Sequence, residues 1–431
     1  MKIAIITAGG AGMFCGSCMQ DNTLVRALRM AGTDALLLPT YTPIRVDEEN
    51  ASDSRVFLGG INVYLDSKLP GWRFLPRSMK RWLDRPSIVK WLSKRSSSTN
   101  PADLGSLTID LLKGNQGPQR QEIQELIQYL VHDLRPDVIL FSNALLSGIV
   151  PELRRQFSGR LCCLLQGDDI FLDALPEPWK SQAMLLVKSN ASHFDRVLTH
   201  SQYYSQFMQQ YLSLPASKLT TIPLTIDDAD VFGSHASSRE EAAPASMITV
   251  GYFARICPEK GAFRFLDAAA ETLKTRDDLR FVIGGFLPEL HRTAFEKRLE
   301  PIQSAFGDRL HWAGSPVDRE SKMQLMRSFD WLCVPTIYHE PKGLYVLEAA
   351  LAGVPSIVPN HGAFPERVQS VGGGLLFDPS IAYSLETILS SLRKDNTTPR
   401  GEILRQACLA HHAMQVSGET IARLLSGRTR I

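Results

Sequence analysis

A chain of 431 residues is too long for one ordinary hydrophobic core and points to two domains. Its 44% apolar and 21% charged residues describe a globular protein, and 47 Lys and Arg against 45 Asp and Glu leave a net charge of +2. That balance excludes a global field demanding nucleic acid as partner, and no run reaches the ~20 apolar residues of a spanning helix.

MKIAIITAGGAG lacks the long apolar core and cleavage site of a secretory signal, so a reducing cytoplasmic setting is expected. Seven cysteines, with Cys162 and Cys163 adjacent, do not form a disulfide framework.

KIAIITA reads as a first buried strand. After Gly-rich sequence, DNTLVRALRMAG reads as a helix closed by Gly32, and DALLLPT as a second strand. Strand, helix, strand argues for an α/β fold with a parallel sheet covered on both faces. RPDVILFS, RLCCLLQG and RVLTHS continue the sheet. Residues 227–246, DDADVFGSHASSREEAAPAS, are small, polar and acidic and read as a linker. The pattern then restarts with SMITVGYFARI, a helix over AFRFLDAAAETLKT, and strands LRFVIGGF, RLHWAG, DWLCVPT and VPSIVPN.

The first loop, MFCGSCMQDN, carries Cys15-x-x-Cys18. Such a pair at a helix start suits a redox site. A zinc site needs two more ligands, and Cys162-Cys163 is poorly spaced to supply them. A dinucleotide fingerprint fails, because Gly10-x-Gly12 requires a third Gly where Cys15 stands.

Residues 68–95 hold nine Lys or Arg, one Asp and three Trp. Two readings stand: a helix lying on an anionic membrane surface, or a helical insertion with Trp in the core and charge in solvent.

Residues 335–366, PTIYHEPKGLYVLEAALAGVPSIVPNHGAFPE, carry the most chemistry. A strand ends, a polar loop follows, and a helix starts near Gly343 and closes at Gly353. A helix beginning at a glycine offers backbone N–H groups and a partial positive charge, which suits a diphosphate. Glu340 precedes the helix and Glu348 lies on it. Carboxylates accept hydrogen bonds from vicinal hydroxyls, so two of them beside a phosphate site suit both sugars of a nucleotide sugar. Upstream, Arg255 follows a strand and Lys260 follows a Pro-Glu turn, as cations for the diphosphate.

These residues resemble the family 4 glycosyltransferases, retaining enzymes of the GT-B fold. The likeness rests on the Glu340-x7-Glu348 pattern with Gly343-Leu344 inside it, on LEAALAGVPSIVPNHGAFPE, and on Arg255 and Lys260. IPLTIDDADVF resembles the family's interdomain segment, with Leu-Thr where Asn-Gly is usual. The likeness is sharp only from about 248 to 378. Lys342 departs from the aromatic residue common before the family's glycine.

The resemblance implies two Rossmann-like domains with parallel sheets facing a central cleft. These are an acceptor domain over 1–226 with the basic insertion at about 68–115, the linker 227–246, a donor domain over 247–400, and a C-terminal helix over 401–431 returning to the first domain. It implies catalytic roles for Arg255, Lys260 and Glu340, with Glu340 on the donor hexose and the cations on the diphosphate. It puts Glu348 on the ribose and Gly343, Leu344 and Lys342 at the donor. In the first domain it implies an acceptor or phosphate loop of Gly10, Gly12 and Gly16, with Cys15 and Cys18 as small side chains. Asp168 and Asp169 are then either acceptor contacts or caps of the following turn. His200 and Ser201 end another strand near the interdomain segment.

The expected reaction is retaining transfer of a sugar from a nucleotide-diphosphate sugar to an acceptor hydroxyl, in glycan, glycolipid or polysaccharide synthesis. No metal and no cofactor beyond the nucleotide-sugar co-substrate is expected. The expected partners are that donor, a carbohydrate or lipid-linked acceptor and, through 68–95, an anionic surface at the inner face of the membrane, without nucleic acid. The alternatives are a non-catalytic nucleotide-sugar or glycan-binding protein and a nucleotide-sugar epimerase of the same fold. A pyridoxal-dependent phosphorylase is a further enzyme class to weigh.

Overall fold

The computed structural model describes residues 1–9, 16–44, 46, 49–53, 56, 101–229, 247–394 and 400–427. The basic segment 68–95, linker residues 230–246, and Gly10, Gly12 and Cys15 lie outside them. The chain divides into two compact units, Met1–Thr225 with Met414–Ile431, and Ile226–Ala413.

The first unit is built on six strands: β1 (Lys2–Thr7), β2 (Asp34–Pro39), β3 (Val138–Phe141), β4 (Arg160–Leu164), β5 (Arg196–Thr199) and β6 (Leu219–Thr221). Their order is β2-β1-β3-β4-β5-β6, and every pairing is parallel. Strands covered on both faces need apolar residues at successive positions. KIAIIT and VILF meet that need, with Ile3, Ile5, Leu140 and Phe141 fully buried.

The second unit repeats the plan with β7 (Ile248–Phe253), β8 (Leu279–Gly284), β9 (Leu310–Gly314), β10 (Trp331–Cys333), β11 (Ser356–Pro359) and β12 (Gly374–Phe377). The order is β12-β11-β10-β7-β8-β9, again all parallel. Arg264 and Glu386 pair in a bidentate salt bridge that ties helix Ala262–Leu273 to helix Ser384–Ser391.

The structure adds two strands to the sequence expectation, β6 and β12. Both are edge strands that are only partly buried; β6, LTT, has no apolar run, and β12 starts at a glycine. The first helix runs Gly16–Met30, starting five residues before the expected Asp21. Its first turn buries Cys18 and Gln20 instead of remaining in a loop.

The C-terminal region divides. Helix Glu402–His412 stays with the second unit, where the Cys408 thiol donates to the Leu347 carbonyl at 3.6 Å. Helix Met414–Ser426 packs in the first unit on helix Gly16–Met30. Gly418 permits that approach, since a Cβ there would lie 2.2 Å from the Ala27 carbonyl oxygen. Among the described residues no helix is long and apolar enough to cross a membrane.

Candidate active site

In an open parallel sheet, ligands bind beyond the carboxyl ends of the strands, where successive connections leave in opposite directions. In the second unit that point lies between β7 and β10, since β8 flanks β7 on its other side and β11 flanks β10 on its own. The loop after β7 carries Arg255 and Lys260, and the loop after β10 carries Glu340. The two loops touch at Gly261, whose φ of +74° favours glycine and where a Cβ would lie 1.9 Å from the Pro335 carbonyl oxygen.

Glu340 is 4% exposed. Its Oε2 accepts from Lys260 Nζ at 2.6 Å and from the Tyr338 hydroxyl at 2.8 Å. Its Oε1 accepts from the Gly343 N–H at 3.3 Å. Burial pushes the carboxyl up, but the Lys260 ammonium and the two side-chain hydrogen bonds outweigh it and hold the group below the ordinary glutamate value. Lys260 also lies over the rings of Tyr338 and Tyr345, 4.9 and 5.2 Å from their centroids. Arg255 is exposed, and its charge acts on Tyr338. Arg255, Lys260, Glu340 and Gly343, separated by up to 88 positions in the chain, are thus gathered beyond the carboxyl ends of the two central strands.

The expected helix runs Leu344–Leu351, with Gly343 as its N-cap at φ 73°. The sequence suggested an unengaged amide at Gly343. Instead that N–H donates to Glu340, because the turn brings a carboxylate three residues upstream back over the helix start. Leu344 opens the first turn, where N–H groups have no acceptor inside the helix. Glu348, one turn on, is paired through Oε1 to Lys322 Nζ at 3.2 Å. Lys342 is buried, its charge acts on Glu340, and its carbonyl accepts from Arg367 Nε at 2.7 Å. Burial lowers the Arg367 guanidinium to about 10.

After β11, Gly362 (φ 61°) backs the Glu340 loop; a Cβ there would lie 2.7 Å from the Glu340 nitrogen. The next residue, Ala363, donates its N–H to the Glu340 carbonyl at 2.8 Å. His361 packs against His339 with ring centroids 4.6 Å apart and planes tilted by 33°. Burial first, then the neighbouring His339, lowers its pKa.

In the first unit the connections reverse between β1 and β3. Gly9, at φ 91°, lies against Thr42, where a Cβ would sit 1.9 Å from the carbonyl oxygen. Gly16 is exposed with open space beside it, and Cys18 is buried within reach of the Thr7 hydroxyl at 3.9 Å. Asp168 is buried, and its carboxylate accepts from Ala144 N at 2.5 Å and Gln166 N at 2.9 Å. It therefore braces the loops after β3 and β4. Desolvation raises it to about 6 against those hydrogen bonds. Asp169 accepts from the Tyr204 hydroxyl at 2.6 Å, and that hydroxyl in turn accepts from Gly167 N and Asp168 N. Asp21 forms a second buried node, accepting from Thr7 at 2.7 Å and Gln166 at 2.8 Å. His200 is buried, with its Nδ1 3.2 Å from the Pro223 carbonyl oxygen.

Sequence reading missed Tyr338, Lys322, Arg367 and Asp21. Arg367 had a signal in the charged turn FPERV that follows the glycine loop. Lys322 had none, because a lysine on an amphipathic helix reads as a solvated face.

Residues 235–407 match the family described as glycosyl transferases group 1. A GDP-mannose-dependent alpha-(1-6)-phosphatidylinositol dimannoside mannosyltransferase of Mycobacterium tuberculosis is 27% identical over 204 residues, 46% of this chain and 50% of that protein. A D-inositol 3-phosphate glycosyltransferase of Segniliparus rotundus is 26% identical over 218 residues, 47% of this chain and 45% of that protein. The chain thus spans about half the length of the curated relatives it matches. Among solved structures, sucrose-phosphate synthase of Thermosynechococcus elongatus superposes with a TM-score of 0.70 at 16% identity, covering 99% of both chains. HepE of Anabaena in complex with UDP gives a TM-score of 0.65 at 17% identity, covering 99% of this chain and 100% of that one. The chain has the GT-B fold, and its residues 235–407 are similar to the glycosyl transferases group 1 family.

Proposed function

We propose that the protein transfers a glycosyl group from a nucleotide-diphosphate sugar to an acceptor hydroxyl with retention at the anomeric carbon. The observation that carries this reading is the buried Glu340, held by Lys260, Tyr338 and the Gly343 N–H at the sheet's switch point. In this reading Glu340 accepts hydrogen bonds from the donor sugar, and Glu348 accepts from the ribose hydroxyls. Arg255, Lys260 and the Leu344 N–H face the diphosphate, with Lys342 adding charge beneath it.

The bond from the anomeric carbon to the diphosphate oxygen breaks, and the acceptor oxygen bonds that carbon from the same face. The acceptor's proton passes to the departing phosphate oxygen. These cations and the helix terminus supply the positive charge the leaving group needs, so the step is proposed to run without a metal or further cofactor. Asp168 and Asp169, with Gly10, Gly12 and Gly16, are assigned to the acceptor side, where Asp168 acts by fixing the loops rather than by touching substrate.

The relatives' names direct the choice of substrates: GDP-mannose and UDP-glucose as donors, inositol phosphates and phosphatidylinositol as acceptors. A glycan or glycolipid product at a membrane surface follows from a lipid acceptor. The test is product formation with these pairs, the anomeric configuration read by NMR, with and without chelator. The expected result is an α-linked product from an α-linked donor, undiminished by chelator and lowered about a hundredfold or more in Glu340→Gln. Donor epimerisation without acceptor, or tight donor binding without turnover, would replace this reading with an epimerase or a binding protein.

A further inference from the structure

Glu348 does not stand alone. It projects from helix Leu344–Leu351, and its Oε1 is 3.2 Å from Lys322 Nζ on helix Arg319–Arg327. Both side chains are largely withdrawn from water, at 8% exposure for Lys322 and 14% for Glu348. Among the described residues no hydrogen bond reaches Glu348 Oε2. A surface pair of this kind would be worth little, but a buried one fixes the geometry of both groups.

We infer that Lys322 is a positioning residue for nucleotide recognition, holding the Glu348 carboxylate through Oε1 so that Oε2 is presented to the vicinal hydroxyls of a ribose. The inference rests on the donor-site reading above. One physical demand supports it. A glutamate on a helix has three rotatable bonds, and a single fixed oxygen removes most of that freedom before ligand arrives. Lys260 stands in the same relation to Glu340 at 2.6 Å, so each glutamate of the pair has its own lysine from an upstream segment.

A ribose-specific device predicts a ribose-specific defect. Binding of UDP, GDP and ADP to the full chain is measured by titration calorimetry. The tightest of the three is then compared with its 2′,3′-dideoxy form. Wild type should favour the ribonucleotide by about tenfold, the scale of one lost charged hydrogen bond. Lys322→Met should weaken ribonucleotide binding by about that factor and leave the dideoxy nucleotide within about twofold of wild type, erasing the preference. Lys322→Arg, which keeps a charged donor, should restore most of it. Adding Glu348→Gln to Lys322→Met should cost little more, because the two residues act as one unit.

Equal weakening of both nucleotides in Lys322→Met, or an unchanged preference, would overturn the inference while leaving the donor site standing. If wild type binds none of the three nucleotides, the donor-site reading and this inference fall together. Should Lys322→Met fail to fold, Lys322→Gln reads the same ratio, with an intermediate loss expected; an unchanged ratio there overturns the inference equally.

Discussion

At the scale of single residues, the site is organised by ion pairs removed from water. Glu340 and Lys260 are 6% and 17% exposed at their side chains, and each is costly to bury without the other. Lys260→Met leaves the carboxylate with only Tyr338 and the Gly343 N–H. The expected cost is on the order of 3 kcal/mol, read from urea unfolding at pH 7, together with loss of transfer. Acidity provides a second test. The native Glu340 carboxyl is held below its ordinary 4.5, so its ionised form stabilises the fold above that value. The contribution disappears as pH falls through the lowered native value. The stability gap between wild type and Glu340→Gln should therefore be widest at neutral pH and close on acidification below about pH 4. A gap that stays constant from pH 7 to pH 3 would contradict the role of ionised Glu340.

At the scale of elements, three loops at the carboxyl ends of β7, β10 and β11 form the site, and two glycines set their spacing. Gly362→Ala places a Cβ 2.7 Å from the Glu340 nitrogen in a left-handed backbone conformation. The neighbour is main chain, so the Glu340 loop itself must move. Gly362→Ala should lose donor binding and about 1–2 kcal/mol of stability, measured by calorimetry and thermal unfolding. Gly372→Ala is the control. It has a similar φ of +70°, but its nearest neighbour is a side-chain carbon at 4.0 Å, so it should lose stability without losing donor binding.

This level was partly legible in the sequence. GLYVLEAALAG gives its helix because the glycines mark both ends and the apolar residues pack between them. Arg255, Lys260, Glu340 and Gly343 could be grouped because strand–loop–helix order puts each after the carboxyl end of its strand, and the family resemblance joined the two loops. The Glu348–Lys322 pair was not legible, because it depends on how two helices pack side by side. Asp168 read equally as a ligand contact or a cap, and only the backbone amides of Ala144 and Gln166 show that its carboxylate is engaged within the protein. The edge strands β6 and β12 were missed because they are only partly buried: LTT lacks the apolar run that marks the equally short β10 and β11, and GLLF emerges from a run of glycines.

At the scale of the whole molecule, the chain builds two units from one plan and returns its last helix to the first. Gly418 lies against the Ala27 carbonyl, so Gly418→Leu must separate the helices Gly16–Met30 and Met414–Ser426. The expected result is a loss of about 2–4 kcal/mol confined to the first unit, with nucleotide affinity of the second unit unchanged. Hydrogen exchange with local resolution would separate the two. Loss of nucleotide affinity in that variant would show that the donor residues do not work from the second unit alone.

The most direct test of the donor site is thermal unfolding of wild type and Glu348→Ala in the presence of UDP-, GDP- and ADP-sugars. A ligand at a hundred times its dissociation constant stabilises by about 2.7 kcal/mol. For a unit of this size that is a rise on the order of 5–10 °C. The account predicts such a rise for one nucleotide class in wild type and about half that rise in Glu348→Ala, whose affinity should be about tenfold weaker. No rise with any donor, or an equal rise in the variant, would contradict it.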